Sequence, residues 1–263
     1  MKKISQCICF TISFIVLLSF QGCNRQPHAR LEEGDYTLSL VSDNQASPTY
    51  YIVKYDGTDE NITLPNKTDK GYPIIAVGSW AFAGCESIKN LIIPDGFVSL
   101  EKNSFYNCSN LESVFIGANV ASISEWEVFS SCERLQTFSV NTDNCVFYAK
   151  GNCLIDKTSQ TVVYGCKDSI IPNEIKRIGA CAFSEIDTLE KIVIPESVTH
   201  IGSFAFFKAT SLNEVTLGDN IEHIGDSAFG ECPELVIYCK FVSKPDGWSD
   251  TWIHSSTTVI WDS

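Results

Sequence analysis

The sequence predicts a solenoid of stacked units, and three observations at a fixed spacing support this fold. Ala-Phe or a close variant recurs along the chain, with spacings of 23, 24, 54, 23 and 23 residues. A Pro or Gly lies ten or eleven residues before five of these anchors, and Val-Gly or Ile-Gly closely precedes four of them. The anchors are Ala81-Phe82, Ser104-Phe105, Val128-Phe129, Ala182-Phe183, Ala205-Phe206 and Ala228-Phe229.

The unit that ends at Phe206 shows how each unit is expected to fold. Ile192 and Ile194 alternate with a polar or solvent-facing position, which is typical of a strand with one buried face. Pro195 ends that strand because proline cannot donate to a ladder. Gly202 then turns the chain, and Phe206 fills the core. Neighbouring units bury their apolar faces jointly, with strands about 4.8 Å apart in one broad parallel sheet.

The N-terminal segment has the pattern of a secretory signal peptide. Two lysines precede an almost uncharged apolar run that ends at Phe20, as in signal peptides. Cys23 directly follows a glycine, which resembles the bacterial lipobox, whose cysteine carries the lipid. We therefore predict a lipoprotein signal peptide at 1–22 and a polar tether at 23–30. Plain secretion and an uncleaved membrane anchor are the alternatives.

The charge balance excludes several kinds of partner. The chain has 32 acidic and 19 basic residues, a formal net charge of −13. Removal of a leader that contains Lys2 and Lys3 makes the charge two units more negative. Nucleic-acid and anionic-lipid surfaces need clustered Lys and Arg, so neither is expected. The acidic residues are scattered among the variable repeat positions, which indicates a solvated solenoid surface.

The repeated residues resemble the BspA-type (Treponema-type) leucine-rich repeat family of bacteria. That family has units near 23 residues with the pattern I-P-x-x-V-x-x-I-G-x-x-A-F-x-x-C-x-x-L, and the resemblance covers 62–239. It implies a leucine-rich-repeat solenoid, α/β by convention but rich in β structure, with a hairpin insert at 145–164. It also implies a role in adhesion to host extracellular-matrix proteins such as fibronectin and fibrinogen.

Both ends of such a solenoid need caps, because an uncovered end exposes core and strand edges. Alternating Tyr, Leu and Val predict an N-terminal cap at 31–61. The C-terminal cap is expected at 240–263, where Trp248, Trp252 and Trp261 cover the last unit. A sugar-stacking platform formed by the same three tryptophans is the alternative.

Nine cysteines remain after the signal peptide and Cys23, and four of them share one repeat position. Ala209 occupies that position in another unit, so the site favours a small apolar side chain, and buried free thiols are expected. A Cys145–Cys153 disulfide in the insert is the alternative. No Cys-x-x-Cys pair occurs in the mature chain, which argues against a zinc site.

His200 and His223 also share one repeat position, 23 residues apart. Stacked imidazoles suit a metal or a pH sensor, whereas an exposed position on the return side of each unit needs no function. No nucleophile–base motif is present, and Gly-x-Ser-x-Gly is absent. The sequence therefore predicts no enzyme activity, no cofactor and no metal.

The outward positions of the repeat strands are the predicted binding face. Leucine-rich solenoids generally use this surface, which is concave, to bind ligands, and Ile92 beside Phe115 predicts an exposed apolar patch. The partner is expected to be a protein, either of the host matrix or of the bacterial envelope, for a lipid-anchored protein of the outer membrane or cell surface. The alternatives are an envelope assembly scaffold and a glycan-binding lipoprotein. The predicted face consists of Asn90, Ile92, Ser113, Phe115, Thr137, Ser139, Lys191, Val193, Glu214 and Thr216.

Overall fold

The computed structural model describes residues 30–42 and 48–262, and all regular elements in these ranges are strands. The predicted signal peptide and the predicted lipid-bearing Cys23 lie outside the described residues. The strands are β1 (Arg30–Glu33), β2 (Tyr36–Ser42), β3 (Thr49–Tyr55), β4 (Asn61–Thr63), β5 (Ile74–Val77), β6 (Asn90–Ile93), β7 (Ser99–Leu100), β8 (Ser113–Ile116), β9 (Ser122–Ile123), β10 (Thr137–Val140), β11 (Phe147–Lys150), β12 (Cys153–Asp156), β13 (Thr161–Tyr164), β14 (Arg177–Ile178), β15 (Lys191–Val193), β16 (His200–Ile201), β17 (Glu214–Leu217), β18 (His223–Ile224), β19 (Val236–Cys239) and β20 (Thr258–Trp261).

The strands stack as coils of a solenoid, as the repeat predicts. Most coils give a three- or four-residue strand to one face and a two-residue strand to the opposite face. The longer strands form two separate parallel sheets, in the orders β10-β8-β6-β4 and β15-β17-β19-β20. The short strands extend two further sheets, whose first members are the antiparallel β1–β3 and β11–β13. The expected single broad sheet is thus divided in two at the insert.

The anchor phenylalanines form a column through the core of each half. The rings of Phe82 and Phe105 are stacked with centroids 4.9 Å apart, and Phe129 continues the column at 5.5 Å. In the second half the centroid of Phe206 lies 5.1 Å from that of Phe183 and 5.0 Å from that of Phe229. Equivalent residues of successive coils therefore meet, which is how short units bury an apolar face that none could bury alone.

Around each anchor the chain makes two turns, each through a residue in the left-handed backbone conformation, and the repeat pattern does not predict these turns. The residues two before and two after every anchor phenylalanine have positive φ, and only Gly84 among them is a glycine. Between these turns the anchor N–H donates to the next coil, as from Phe82 to Ser104 (2.8 Å) and from Phe206 to Ala228 (2.7 Å). A third hydrogen-bonded ladder therefore runs along this edge. The left-handed residues are Trp80, Gly84, Asn103, Asn107, Glu127, Ser131, Cys181, Glu185, Phe204, Lys208, Ser227 and Glu231.

The insert forms a wall between two hydrophobic cores. Its strands β11, β12 and β13 are antiparallel, and β12 and β13 are buried on both faces. Leu154 packs into the N-terminal core, whereas Cys153 and Ile155 pack into the C-terminal core. Gly165 follows β13, and a Cβ there would lie 1.9 Å from the ring of Phe183. Only glycine allows the Phe183 ring to approach the backbone so closely. The insert thus interrupts the phenylalanine column between Phe129 and Phe183.

Aromatic side chains cover both ends of the solenoid. At the N-terminal end Tyr55 of β3 stacks on Phe82, with centroids 5.0 Å apart. At the C-terminal end Trp252 meets Phe229 edge-on at 6.0 Å, and Trp248 lies 5.0 Å from Trp252. Within the described ranges, no helix is long and apolar enough to cross a membrane.

Candidate functional site: the outward face of the two parallel sheets

Strand alternation presents all ten predicted site residues on the outside of the solenoid. In β6, for example, Leu91 and Ile93 are buried, whereas Asn90 is half-buried and Ile92 is exposed. The same alternation holds in β8, β10, β15 and β17, so that none of the predicted residues is buried. We call this surface the strand face.

The first sheet carries a polar row of linked side chains. The register places Asn61, Asn90 and Ser113 side by side on β4, β6 and β8. The Asn90 Nδ2 donates to Asn61 Oδ1 over 2.7 Å, and the Ser113 Oγ donates to Asn90 Oδ1 over 2.6 Å. Thr137 of β10 lies next in register. These groups are held in fixed orientations by bonds between coils.

Beside the polar row, the first sheet carries a short apolar row. Ile92 and Phe115 lie directly opposite each other in the register of β6 and β8. Thr63 precedes them on β4, and Ser139 follows on β10. Ile92 is exposed and Phe115 is half-buried, which places an apolar patch at the predicted position.

The second sheet carries a longer apolar row, two members of which sequence reasoning missed. Val193, Thr216, Tyr238 and Ile260 lie in register on β15, β17, β19 and β20. Val193 is 79 % exposed, Tyr238 40 % and Ile260 46 %. Tyr238 was detectable from the alternation of β19, whereas Ile260 lies in the segment expected to form only a cap. The C-terminal segment thus extends the strand face.

The two sheets are separate surfaces. β10 pairs only with β8 and β15 only with β17, and the inserted β11–β13 lie between these coils in the chain. No strand of the described residues links Ser139 of the first sheet to Val193 of the second. The strand face is therefore a pair of four-stranded patches.

The two histidines that share a repeat position are neighbours in the structure. His200 and His223 pair in register on β16 and β18, with ring centroids 5.9 Å apart. Burial lowers the pKa of His200, and the nearby Arg177 acts in the same direction. The described residues contain no group of three side chains able to hold a metal ion. Burial and Arg177 therefore favour the uncharged form of His200.

The thiols at the shared cysteine position form hydrogen bonds that the sequence does not predict. The thiols of Cys108, Cys132 and Cys232 each donate to a backbone carbonyl of the preceding coil, on Phe82, Phe105 and Phe206, over 3.2–3.3 Å. These contacts join one coil to the next and suit a small side chain with a weak donor.

Burial keeps the thiols of Cys153, Cys232 and Cys239 protonated at neutral pH. It raises the pKa of Cys153 and Cys239 to about 12 and that of Cys232 to about 11. Cys153 is a free, buried thiol, so the alternative of a Cys145–Cys153 disulfide is not formed in this structure. Thiolate chemistry at neutral pH is disfavoured at these three positions.

The terminal tryptophans do not form an open platform. Trp248 and Trp252 are buried, and Trp248 Nε1 donates to the carbonyl of Ile221 over 3.2 Å. Trp261 is half-buried against Trp248, with centroids 6.0 Å apart. A sugar cannot stack on Trp248 or Trp252, because both rings are covered by protein, so the three tryptophans do not form the glycan platform given as the alternative.

The sequence of the chain matches the family model of the BspA-type leucine-rich repeat region in six copies, over residues 55–167 and 156–239. A leucine-rich repeat protein of Bacteroides ovatus has the same fold, with a TM-score of 0.51 and 17 % identity over 89 % of this chain and 71 % of that one. A leucine-rich repeat protein of Treponema pallidum matches with a TM-score of 0.47 and 20 % identity, over 88 % and 86 % of the two chains. None of the curated proteins compared with the chain matches it.

Proposed function

Since the chain belongs to the BspA-type leucine-rich repeat family, we propose that it is a non-catalytic cell-envelope lipoprotein that binds a protein partner through the strand face. Leucine-rich solenoids are protein-interaction scaffolds whose stacked strands form an extended surface. The single observation that supports this role best is the exposed row of the second sheet, in which Tyr238 and Ile260 are adjacent and Thr216 separates them from Val193. Contiguous exposed apolar side chains with polar neighbours mark interaction sites.

The first sheet adds specificity to this surface. Its polar row is already oriented by hydrogen bonds from Ser113 to Asn90 and from Asn90 to Asn61. Groups that are fixed before binding lose little conformational freedom when a partner docks. The combination of an apolar row with an ordered polar row resembles the core and rim of protein interfaces. We propose a host matrix protein as partner, and a bacterial envelope protein as the second candidate.

Charged substitutions in the apolar rows test the strand face. Ile92→Asp with Phe115→Asp, and separately Tyr238→Asp with Ile260→Asp, are expected to weaken partner binding by about tenfold or more. Ile170→Asp is the matched control, because Ile170 is an exposed aliphatic residue outside both sheets. Binding is measured on immobilised fibronectin and fibrinogen and, in parallel, on envelope extract. Unchanged binding by both double variants would contradict the proposal.

The lipid anchor and the location have their own tests. We expect labelled palmitate to enter the wild-type chain and not Cys23→Ala, since the acylated thiol is then absent. Label that persists in Cys23→Ala would overturn the lipoprotein assignment. Protease treatment of intact cells distinguishes the two partners, because a chain that faces the periplasm is protected and cannot reach the host matrix.

A non-catalytic role is supported by the thiols. The sequence has no nucleophile–base motif, and burial raises the pKa of Cys153 and Cys232 well above neutrality. A thiol that stays protonated is a poor nucleophile. Binding, rather than chemistry, is therefore the proposed activity.

A further inference from the structure

A second surface with exposed aromatic rings runs along the edge formed by the left-handed turns, which we call the turn edge. Trp80 and Trp126 are 54 % and 50 % exposed there. Trp80 meets Tyr106 edge-on at 5.7 Å, and the ring of Trp126 lies 6.5 Å from that of Phe204. Phe207 meets Phe204 edge-on at 5.4 Å. None of these rings belongs to the strand face.

An ion pair joins the two groups of rings into one surface. The carboxylate of Glu185 accepts hydrogen bonds from Tyr106 Oη (2.9 Å) and Ser131 Oγ (2.6 Å). It also lies 3.5 Å from Lys208 Nζ, which in turn lies 5.3 Å from the centre of the Phe207 ring. The contacts thus lead from Tyr106 through Glu185 and Lys208 to Phe207, across the boundary between the two halves of the solenoid.

The fold does not require aromatic residues at these positions. Trp80 and Phe204 are left-handed, with φ of 65° and 59°, a conformation that Gly and Asn adopt more readily. Asn103, Cys181 and Ser227 occupy the equivalent position, two residues before the anchor phenylalanine, in other coils. The rings are therefore held at the surface in spite of the local backbone preference.

The turn edge is acidic. Between Trp80 and Lys208 it carries the carboxylates of Glu101, Glu125, Glu127 and Glu185 and the ammonium groups of Lys102 and Lys208, and Asp226 and Glu231 add carboxylates in the following coil. Lys208 is already paired with Glu185. Glu125 and Glu127 flank the exposed Trp126 in sequence, and neither forms an ion pair within the described part of the chain. The surface thus complements a positively charged ligand, and a cation over an indole face is itself attractive.

The kind of ligand follows from the rings and the charge together. Exposed aromatic rings form surfaces on which proline-rich segments dock in the polyproline II conformation. Such a segment has three residues per turn and no internal hydrogen bonds, so its basic side chains remain available for the carboxylates of Glu125 and Glu127.

From these observations we propose that the turn edge binds a basic, proline-rich segment of a partner protein in the polyproline II conformation. Proline rings stack on Trp80 and Trp126, as such segments do in other aromatic-lined surfaces. Lys or Arg side chains of the segment reach Glu125 and Glu127. The segment is pre-organised, so little conformational entropy is lost when it docks. This site is separate from the strand face and does not depend on the function proposed for it.

The test uses the full chain and a synthetic peptide of four Pro-Pro-Arg units, with affinity measured by calorimetry and by tryptophan fluorescence. We expect Trp80→Ala and Trp126→Ala each to weaken binding by about tenfold. Tyr238→Ala is the matched control, because it removes a partly exposed ring from the strand face and should leave peptide affinity unchanged. Thermal unfolding of each variant confirms that these surface changes leave the fold intact.

Two further probes separate stacking from charge. A Gly-Ser-Arg peptide of equal length and charge should bind at least about tenfold more weakly than the Pro-Pro-Arg peptide. Equal affinity for the two peptides would show a purely electrostatic surface and overturn the proposal. So would full peptide affinity in both tryptophan variants, or the absence of peptide binding. Binding of neutral oligosaccharides in place of the peptide, with loss in Trp126→Ala, would overturn it in favour of a glycan site.

Discussion

At the residue scale, one repeat position shows how a solenoid uses small side chains. Cys108 and Cys232 donate to the carbonyls of Phe82 and Phe206 in the preceding coil, whereas Ala209 fills the same position with no donor. The site therefore requires small volume and tolerates a weak hydrogen bond. This explains why cysteine recurs at the position, because a side chain this small packs without voids between stacked coils.

His200 provides a prediction about pH at the same scale. Burial and Arg177 lower the pKa of His200 below its ordinary 6.5 in the folded chain. The unfolded chain therefore binds more protons than the folded chain as the pH falls through 6.5, and stability decreases there. His200→Gln is expected to reduce the loss of stability between about pH 7 and pH 5.5.

Urea unfolding at several pH values measures this effect. Arg177→Gln is the companion variant, and it should also reduce the dependence because it removes a cation near His200. The prediction would be contradicted if the free energy of unfolding of His200→Gln depended on pH as steeply as that of the wild type in this range.

At the element scale, the insert joins two cores that the repeat would otherwise stack directly. Tyr164, at the end of β13, meets Phe129 edge-on at 5.5 Å. Its hydroxyl donates to the carbonyl of Ser124 over 2.6 Å and accepts from the N–H of Val128 over 3.1 Å. Burial raises the pKa of Tyr164, so this hydroxyl stays protonated and can serve as both donor and acceptor. One side chain thus completes the backbone hydrogen bonding of the last coil before the insert.

Tyr164→Phe tests that role. The change leaves the ring in place and leaves the Val128 N–H and the Ser124 carbonyl without their partner. We expect a loss of about 1–3 kcal/mol in the free energy of unfolding, the usual cost of an unsatisfied buried polar group. Tyr148→Phe is the matched control, because the Tyr148 hydroxyl is only half-buried and makes one long hydrogen bond to Gln160. Equal losses in both variants would show that the bridge is unimportant.

At the scale of the whole molecule, the solenoid is two stacks of coils on either side of a wall. The cores contain alternate residues of β12 and β13, such as Leu154 on one side and Ile155 on the other. In repeat proteins each unit contacts only its neighbours, so the stability is approximately a sum of contributions from the units and from the interfaces between them. The wall contributes to both halves and couples them.

Hydrogen exchange tests this division. We expect amides of β8 and β17, near the centre of each half, to exchange through two distinct cooperative openings, with β12 and β13 protected in both. Leu154→Ala should accelerate exchange in the N-terminal half more than in the C-terminal half, because Leu154 packs only into the first core. Equal acceleration in both halves would indicate a single cooperative unit. Exchange followed by mass spectrometry of peptides resolves the two.

Much of this architecture was predictable because it depends on local periodicity. The spacing of the Ala-Phe anchors predicts the stacked coils, and the alternation in Ile92 and Phe115 predicts the outward side chains. Those features recur in each unit, so each unit repeats the same evidence. The role of Tyr164, by contrast, depends on residues 36 and 40 positions away, Val128 and Ser124. No local pattern connects them.

By itself, the amino-acid sequence determined the repeat, the strand face and the family, because all three follow from residue types at a constant spacing. The tertiary structure alone decided that the insert divides the sheet, that Ile260 extends the strand face, and that Trp248 and Trp252 form the cap and not an open platform. It also brought Trp126 beside Phe204, 78 positions later in the chain. The physical reason is that stacking places equivalent residues of successive coils side by side, so the repeat predicts those contacts. An insert that does not repeat changes which coils contact each other, and no local pattern predicts this.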